Sequence, residues 1–258
     1  SANVTRTIED DNRDFSIYES IVGSDEREMI LIPEGVFTLG SDEGGFDEKP
    51  EQEIYLDAFY VDKYEVTVKD YNVFRKNAGY VKPSFPFLQG DEKVLETPTF
   101  PVVGVSWYDS VNYCKWAGKR LLTEAEWEKA ARGTHGLKFP WSNKFLETRA
   151  NLAGTHDGFE FMAPVGSFPM GRSVYGVHDM SGNVSEWVQD IYDQFYYQSA
   201  QMMNPTGPEK GKNRVYRGGS WDSRSVDLRT SKRFAATEGR KDAVLGFRCG
   251  LSKVDLGE

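Results

Sequence analysis

Apolar runs at Met29–Pro33 and Val36–Leu39, joined by a Glu34-Gly35 turn, read as two strands. Ile54–Val61 alternates apolar and polar positions and reads as a third. Three helices then announce themselves by their caps. Thr67 with Asp70 three residues on opens one that places Tyr71 and Phe74 on a single face. Ser106 with Asp109 opens a second, carrying Trp107, Val111 and Cys114 and stopping at Gly118. Thr123 with Glu126 opens a third, with Trp127 and Ala130, ending before Gly133. Beyond Pro140 the pattern breaks into turns and short strands. A helix is expected near Val184–Tyr192, and strands over Val215–Arg217 and Phe247–Cys249.

This order of elements predicts one α+β domain over residues 29–252, with a polar arm at 1–28 and a short tail at 253–258. The charged run Glu9–Arg13 makes the arm look loose. Aromatic residues reach 14 % and glycines number 25, so a loop-rich, aromatic-packed body is expected rather than a helical bundle. Net charge is −9, which argues against nucleic acid as a partner. No apolar run approaches the ~18 residues of a membrane-spanning helix. No signal peptide is visible, and the chain starts at Ser1.

Several segments carry more specific information. They are Pro101–Asp109, Trp116–Trp127, Phe139-Pro-Trp141, Gly182-Asn-Val-Ser-Glu-Trp187, Arg217-Gly-Gly-Ser-Trp221 and Gly246-Phe-Arg-Cys-Gly250. Together and in this order they resemble the formylglycine-generating enzyme family, also called the sulfatase-modifying-factor domain. The resemblance implies a single domain related to C-type lectin folds, with little regular structure and two helices on an irregular antiparallel sheet.

It also implies two structural calcium ions. At the first, the ligands would be the side chains of Asn151 and Asp157 and the carbonyls of Leu152 and Phe159. At the second, they would be the side chains of Asp179 and Glu186 and the carbonyls of Gly182 and Val184. Calcium takes about 6–8 oxygens of these mixed kinds. Read without the family, Asp157-Gly158 is equally an Asp-Gly turn. The two cysteines are open to two readings, as buried thiols or as a pair. The resemblance implies that Cys114 and Cys249 are bonded to each other. Such a bridge would close a loop of about 135 residues, worth about 5 kcal/mol in the chain-entropy model, and would favour a periplasmic or secreted setting.

One departure decides the functional expectation. Catalytic members bind copper through two cysteines after the Gly-Gly-Ser run, because soft sulfur selects Cu(I). Here the first position holds Ser223 and the second Leu228 or Arg229. Ser185 stands where catalytic members place a tryptophan beside the oxygen pocket, while Ser220 is retained. No copper and no formylglycine chemistry are therefore expected. The charged and hydroxylic residues Ser185, Ser220, Trp221, Asp222, Ser223, Arg224, Ser225, Asp227 and Arg229 are expected to form a binding cleft for a protein or glycan partner. Arg233 and Arg248 read as framework residues facing buried carboxylates. The alternative is an iron-dependent oxidoreductase. His135, His156 and His178 show no His-x-His or His-Glu-x-x-His spacing, and no hydrolase or phosphate-loop motif is present.

Overall fold

The structure is a computed structural model that describes residues 13–84 and 92–256. The run Glu9–Asn12 lies outside them.

Strand β1 (Ser20–Val22) pairs antiparallel with β2 (Glu28–Ile32), so the sheet begins upstream of Met29. Asp25 and Arg27, between these strands, are buried in an ion network with Lys119, Asp62 and Asp70. β3 (Gly35–Leu39) pairs with β4 (Gln52–Leu56) as a separate two-stranded sheet. β5 (Phe59–Asp62) returns to β2. The single strand expected over Ile54–Val61 is thus two, broken at Asp57-Ala58 where the chain changes sheets.

All three capping boxes form. α1 (Val68–Ala78) is capped by Thr67 and Asp70 and closed by Gly79 at φ 64°. α2 (Trp107–Trp116) is capped by Ser106 and Asp109. After β6 (Arg120–Leu121), α3 (Glu124–Arg132) is capped by Thr123 and Glu126. α3 is buried along its whole length, charged residues included.

The expected helix near Val184–Tyr192 is instead β7 (Ser185–Ile191). It is the inner strand between β8 (Asn213–Arg217) and β10 (Leu245–Phe247), with β9 (Phe234–Thr237) outside β8. Both faces of β7 are covered, so burial is nearly continuous and the period of two that marks a half-exposed strand is absent. The β10–β7 pair is parallel, so the sheets are not wholly antiparallel. β11 (Cys249–Ser252) lies between β5 and β6 and completes the five-stranded sheet β1-β2-β5-β11-β6. Cys114 on α2 is bonded to Cys249 on β11, with Cα atoms 5.7 Å apart. Tyr71, Phe74, Tyr113 and Phe247 pack around that bridge.

Candidate functional site

The Gly-Gly-Ser-Trp segment leaves β8 at Arg217, whose side chain is fully buried. Its guanidinium donates to Glu124 at 2.6 Å, to Glu128 at 2.5 Å and to the carbonyl of Thr230 at 2.6 Å. Arg233 grips the same Glu124 with two bonds of 2.8 and 2.9 Å. Burial opposes ionisation of Glu124, but the two guanidiniums outweigh it and hold the carboxyl below its usual value. Arg248 likewise grips Glu186, at 2.7 and 2.8 Å. Both arginines are the framework residues the sequence suggested.

Two glycines then turn the chain at φ 95° and 69°, conformations that side chains seldom adopt. Ser220 and Ser223 cap each other: the Ser220 N–H donates to Ser223 Oγ at 2.9 Å, and the two hydroxyls lie 3.2 Å apart. Leu228 is fully buried against Phe139, Trp141, Ala150 and Leu152. Arg229 turns to Glu48 and forms a two-bond pair at 2.7 Å each. The segment after the Gly-Gly-Ser turn thus holds a capping hydroxyl at Ser223, a core leucine at 228 and a paired arginine at 229.

The expected cleft residues are only partly brought together. Ser185, within β7, and Ser220 are buried, and Arg229 is committed to Glu48, so none of the three is offered to a ligand. Trp221 is half-buried, edge-on to Phe161 and donating to the carbonyl of Ala243. Asp222 and Arg224 are exposed, and Ser223, Ser225 and Asp227 are partly so. What stays accessible is one short surface stretch from Trp221 to Asp227, here termed the ridge.

Beneath that ridge lie both proposed ion loops. Asp157 Oδ2 accepts from Asn151 Nδ2 at 3.0 Å and Leu152 N at 3.1 Å, and Oδ1 accepts from Phe159 N at 2.9 Å. The last bond is that of an Asp-Gly turn. Asn151 Nδ2 also donates to the carbonyl of Phe161, while Asn151 Oδ1 is buried without a partner. Rotating this amide by 180° would replace the donor by the unpartnered oxygen. That oxygen would then face the Asp157 carboxylate and the Phe161 carbonyl, a grouping that a hard cation between them would favour.

The second loop holds Asp179 and Asn183 at φ 58° and 61°, an uncommon conformation for residues other than glycine. Asp179 Oδ2 accepts from Gly166 N at 2.6 Å. The structure adds a residue that sequence reasoning missed, Glu65. It is fully buried, accepts from Asn183 Nδ2 at 2.9 Å through Oε1, and shares a hydrogen bond with the Asp179 carboxyl. Burial and the neighbouring Asp179 push its carboxyl well above the usual range. Burial raises Asp179 too. The signal available in the sequence was a lone carboxylate beside Val66, just ahead of the Thr67 cap. Among the described residues, no three His, Cys, Asp or Glu side chains are arranged to hold a metal on their own. Any ion here would need amide and backbone oxygens as well, as calcium does. His178 is buried with Nδ1 unpartnered, and burial depresses its pKa to about 3.

Both loops are tied to the Gly-Gly-Ser segment. Ala153 N donates to Ser223 O at 3.0 Å, Gly182 N to Gly218 O at 3.0 Å, and Trp221 N to Asn183 O at 2.8 Å. Ser181 Oγ donates to Leu228 O at 2.6 Å. Gly182, at φ 87°, lies against the carbonyl of Asn151, where a Cβ would collide.

The chain as a whole has clear counterparts among known proteins. The chain matches the family described as Sulfatase-modifying factor enzyme 1-like domain over residues 18–252. It is 34 % identical over 280 residues to the formylglycine-generating enzyme of Bos taurus, covering 86 % of this chain and 74 % of that protein. It is 32 % identical over 280 residues to the inactive C-alpha-formylglycine-generating enzyme 2 of Mus musculus, covering 87 % and 85 %. The solved structure of PvdO from Pseudomonas aeruginosa aligns with a TM-score of 0.77 at 29 % identity, over 91 % of this chain and 98 % of that one. The chain belongs to the formylglycine-generating-enzyme-like, sulfatase-modifying factor family.

Proposed function

We propose that this domain is a calcium-stabilised, extracytoplasmic binding or accessory protein of its family, acting on a protein or glycan partner rather than generating formylglycine. One observation carries the reading. The two copper positions hold Ser223, which caps Ser220 N, and either the core residue Leu228 or the Glu48-paired Arg229. None of these offers a thiolate, and soft sulfur is what Cu(I) selects. The exposed ridge of Trp221, Asp222, Arg224 and Asp227 would meet the partner, and its alternating charges suit a polar surface. The disulfide between Cys114 and Cys249 supports the extracytoplasmic setting.

Calcium is supported by the unpartnered Asn151 Oδ1 and by the excess of buried carboxylate at Glu65, Asp179 and Glu186. Asn151, Asp157, Leu152 and Phe159 would hold one ion. Asp179, Glu186, Gly182 and Val184, joined by Glu65, would hold the other. Bound there, calcium supplies positive charge that neutralises buried carboxylates and pins the loops under the ridge. Glu186 already has both oxygens bonded, to Arg248 and the Trp127 indole, and would contribute a remaining lone pair.

Elemental analysis of the purified protein, paired with oxygen uptake after adding iron or copper, tests the proposal. Calcium with no oxygen uptake and no conversion of a cysteine peptide is the expected result. Stoichiometric iron or copper with oxygen turnover would sink it in favour of an oxidoreductase.

A further inference from the structure

A cavity of about 290 Å³ lies away from the ridge and the ion loops, where the five-stranded sheet meets β7 at the start of α3. Leu56–Ala58 from the β4–β5 crossing, Arg120, Thr123 and Glu126 form part of its wall. Gln189 of β7, the segment 204–206 and Ser252 with Val254 complete it. Its volume sits at the lower end for small-molecule pockets, about 300 Å³, so it suits one ring rather than an extended chain.

The charges around this cavity are already spent. Arg120 makes a two-bond pair with Glu126 at 2.6 and 2.7 Å and directs its remaining donors to Ser252 Oγ and the Leu121 carbonyl. Two of the first N–H groups of α3 are spent as well, Glu124 N on Asp190 and Glu126 N on Thr123 Oγ1. An anion would therefore find no unpaired cation among the described residues of the wall. Asp57, at the rim, is bonded to Asn204 through its side chain and backbone N–H, so it is a weak anchor for a cation.

The groups left open are uncharged. Neither the Gln189 side-chain amide nor the Thr206 hydroxyl has a hydrogen bond among the described residues, and the Thr123 hydroxyl accepts one bond while its proton is uncommitted. Apolar surface from Leu56, Ala58, Pro205 and Val254 lies beside them. A ligand that matches this set has neighbouring hydroxyls, each able to donate and accept, on a ring with an apolar C–H face.

We infer that this cavity is a binding site for a single neutral sugar ring, formed by Gln189, Thr206 and Thr123 over the closed Arg120–Glu126 pair. The site is separate from the ridge and stands whether or not the ridge binds a partner. Saturation-transfer NMR on the full chain, with glucose, galactose, mannose and N-acetylglucosamine as probes, tests it. Transfer from the protein to at least one sugar is expected. Replacing the amide by an apolar group of similar size in Gln189→Leu should weaken that sugar roughly fivefold, the scale of one lost hydrogen bond. Thr206→Val, on an exposed segment, gives a second reading if Gln189→Leu folds poorly. Lys76→Ala, exposed on α1 and outside both the cavity and the ridge, should leave sugar binding unchanged. Transfer to none of the four sugars would overturn the inference. So would transfer undiminished in both cavity variants, or stronger binding of acetate or methylammonium than of any sugar.

Discussion

Trp127 separates two buried clusters of charge that are built from the same residue types and end in opposite states. On one side, with Arg217 stacked 5.3 Å from the ring, Glu124 and Glu128 face Arg217, Arg233 and Arg132. On the other side the Trp127 indole donates to Glu186, which lies with Glu65 and Asp179 around the single guanidinium of Arg248. The first cluster has as many cations as it needs, and Glu124 is held ionised. The second has more carboxylate than cation, and its unpaired members are pushed toward the neutral form. A closed network is structure, whereas an open one leaves an excess of buried negative charge that a cation would relieve.

The largest expected effect comes from opening the closed cluster. Arg217→Met leaves Glu124 and Glu128 short of a buried partner and should cost about 3–5 kcal/mol in urea unfolding. A loss below about 1 kcal/mol would mean the network is less essential than its burial implies.

The open cluster should respond in the opposite sense. In calcium-free protein, Glu65→Gln removes one buried carboxylate from an unfavourable group and should raise the melting temperature. It should also shrink the gain from added calcium, which for a site filled at a hundred times its Kd is about 2.7 kcal/mol. Equal melting temperatures with calcium and with chelator would remove the ion from the second cluster. The ties from Asn183 to Trp221 and from Ala153 to Ser223 predict that chelation also speeds hydrogen exchange along the Gly-Gly-Ser segment.

A smaller effect sharpens the picture of the closed cluster. Asp190 borders it, accepting from Glu124 N, and burial followed by Glu124 raises its pKa from 3.8 to about 8. Its protonated form is favoured in the folded state. The stability it contributes is therefore full below about 3.8, declines as the pH rises toward about 8, and is gone above it. Asp190→Asn keeps an acceptor for Glu124 N and cannot ionise. Melting curves at fixed calcium from pH 5 to 9 should show the variant gaining on the parent up to about pH 8, then a constant gap. Parallel curves across that range would show that Asp190 is already ionised.

Much of this could be read from local sequence. Thr67, Ser106 and Thr123 each sit three residues before a carboxylate, and that spacing alone satisfies the first N–H groups of a helix. The Gly-Gly-Ser-Trp and Gly-Phe-Arg-Cys segments pointed to the family and to the paired cysteines. β7 was misread because strands on both sides and cover on both faces erase the alternation that betrays a strand. Glu65 was missed because a single carboxylate gives no sign of which distant residues will face it.

The sequence by itself determined the caps and the turns that need glycine, since each depends on neighbours a few residues away. Only the tertiary structure decided that Ser185 and Ser220 lie beneath the surface. It alone turned Arg229 to Glu48, 181 residues away, and set Asn183, 118 residues on, against Glu65. Burial and charge balance are properties of residues brought together from across the chain, and no local pattern encodes them.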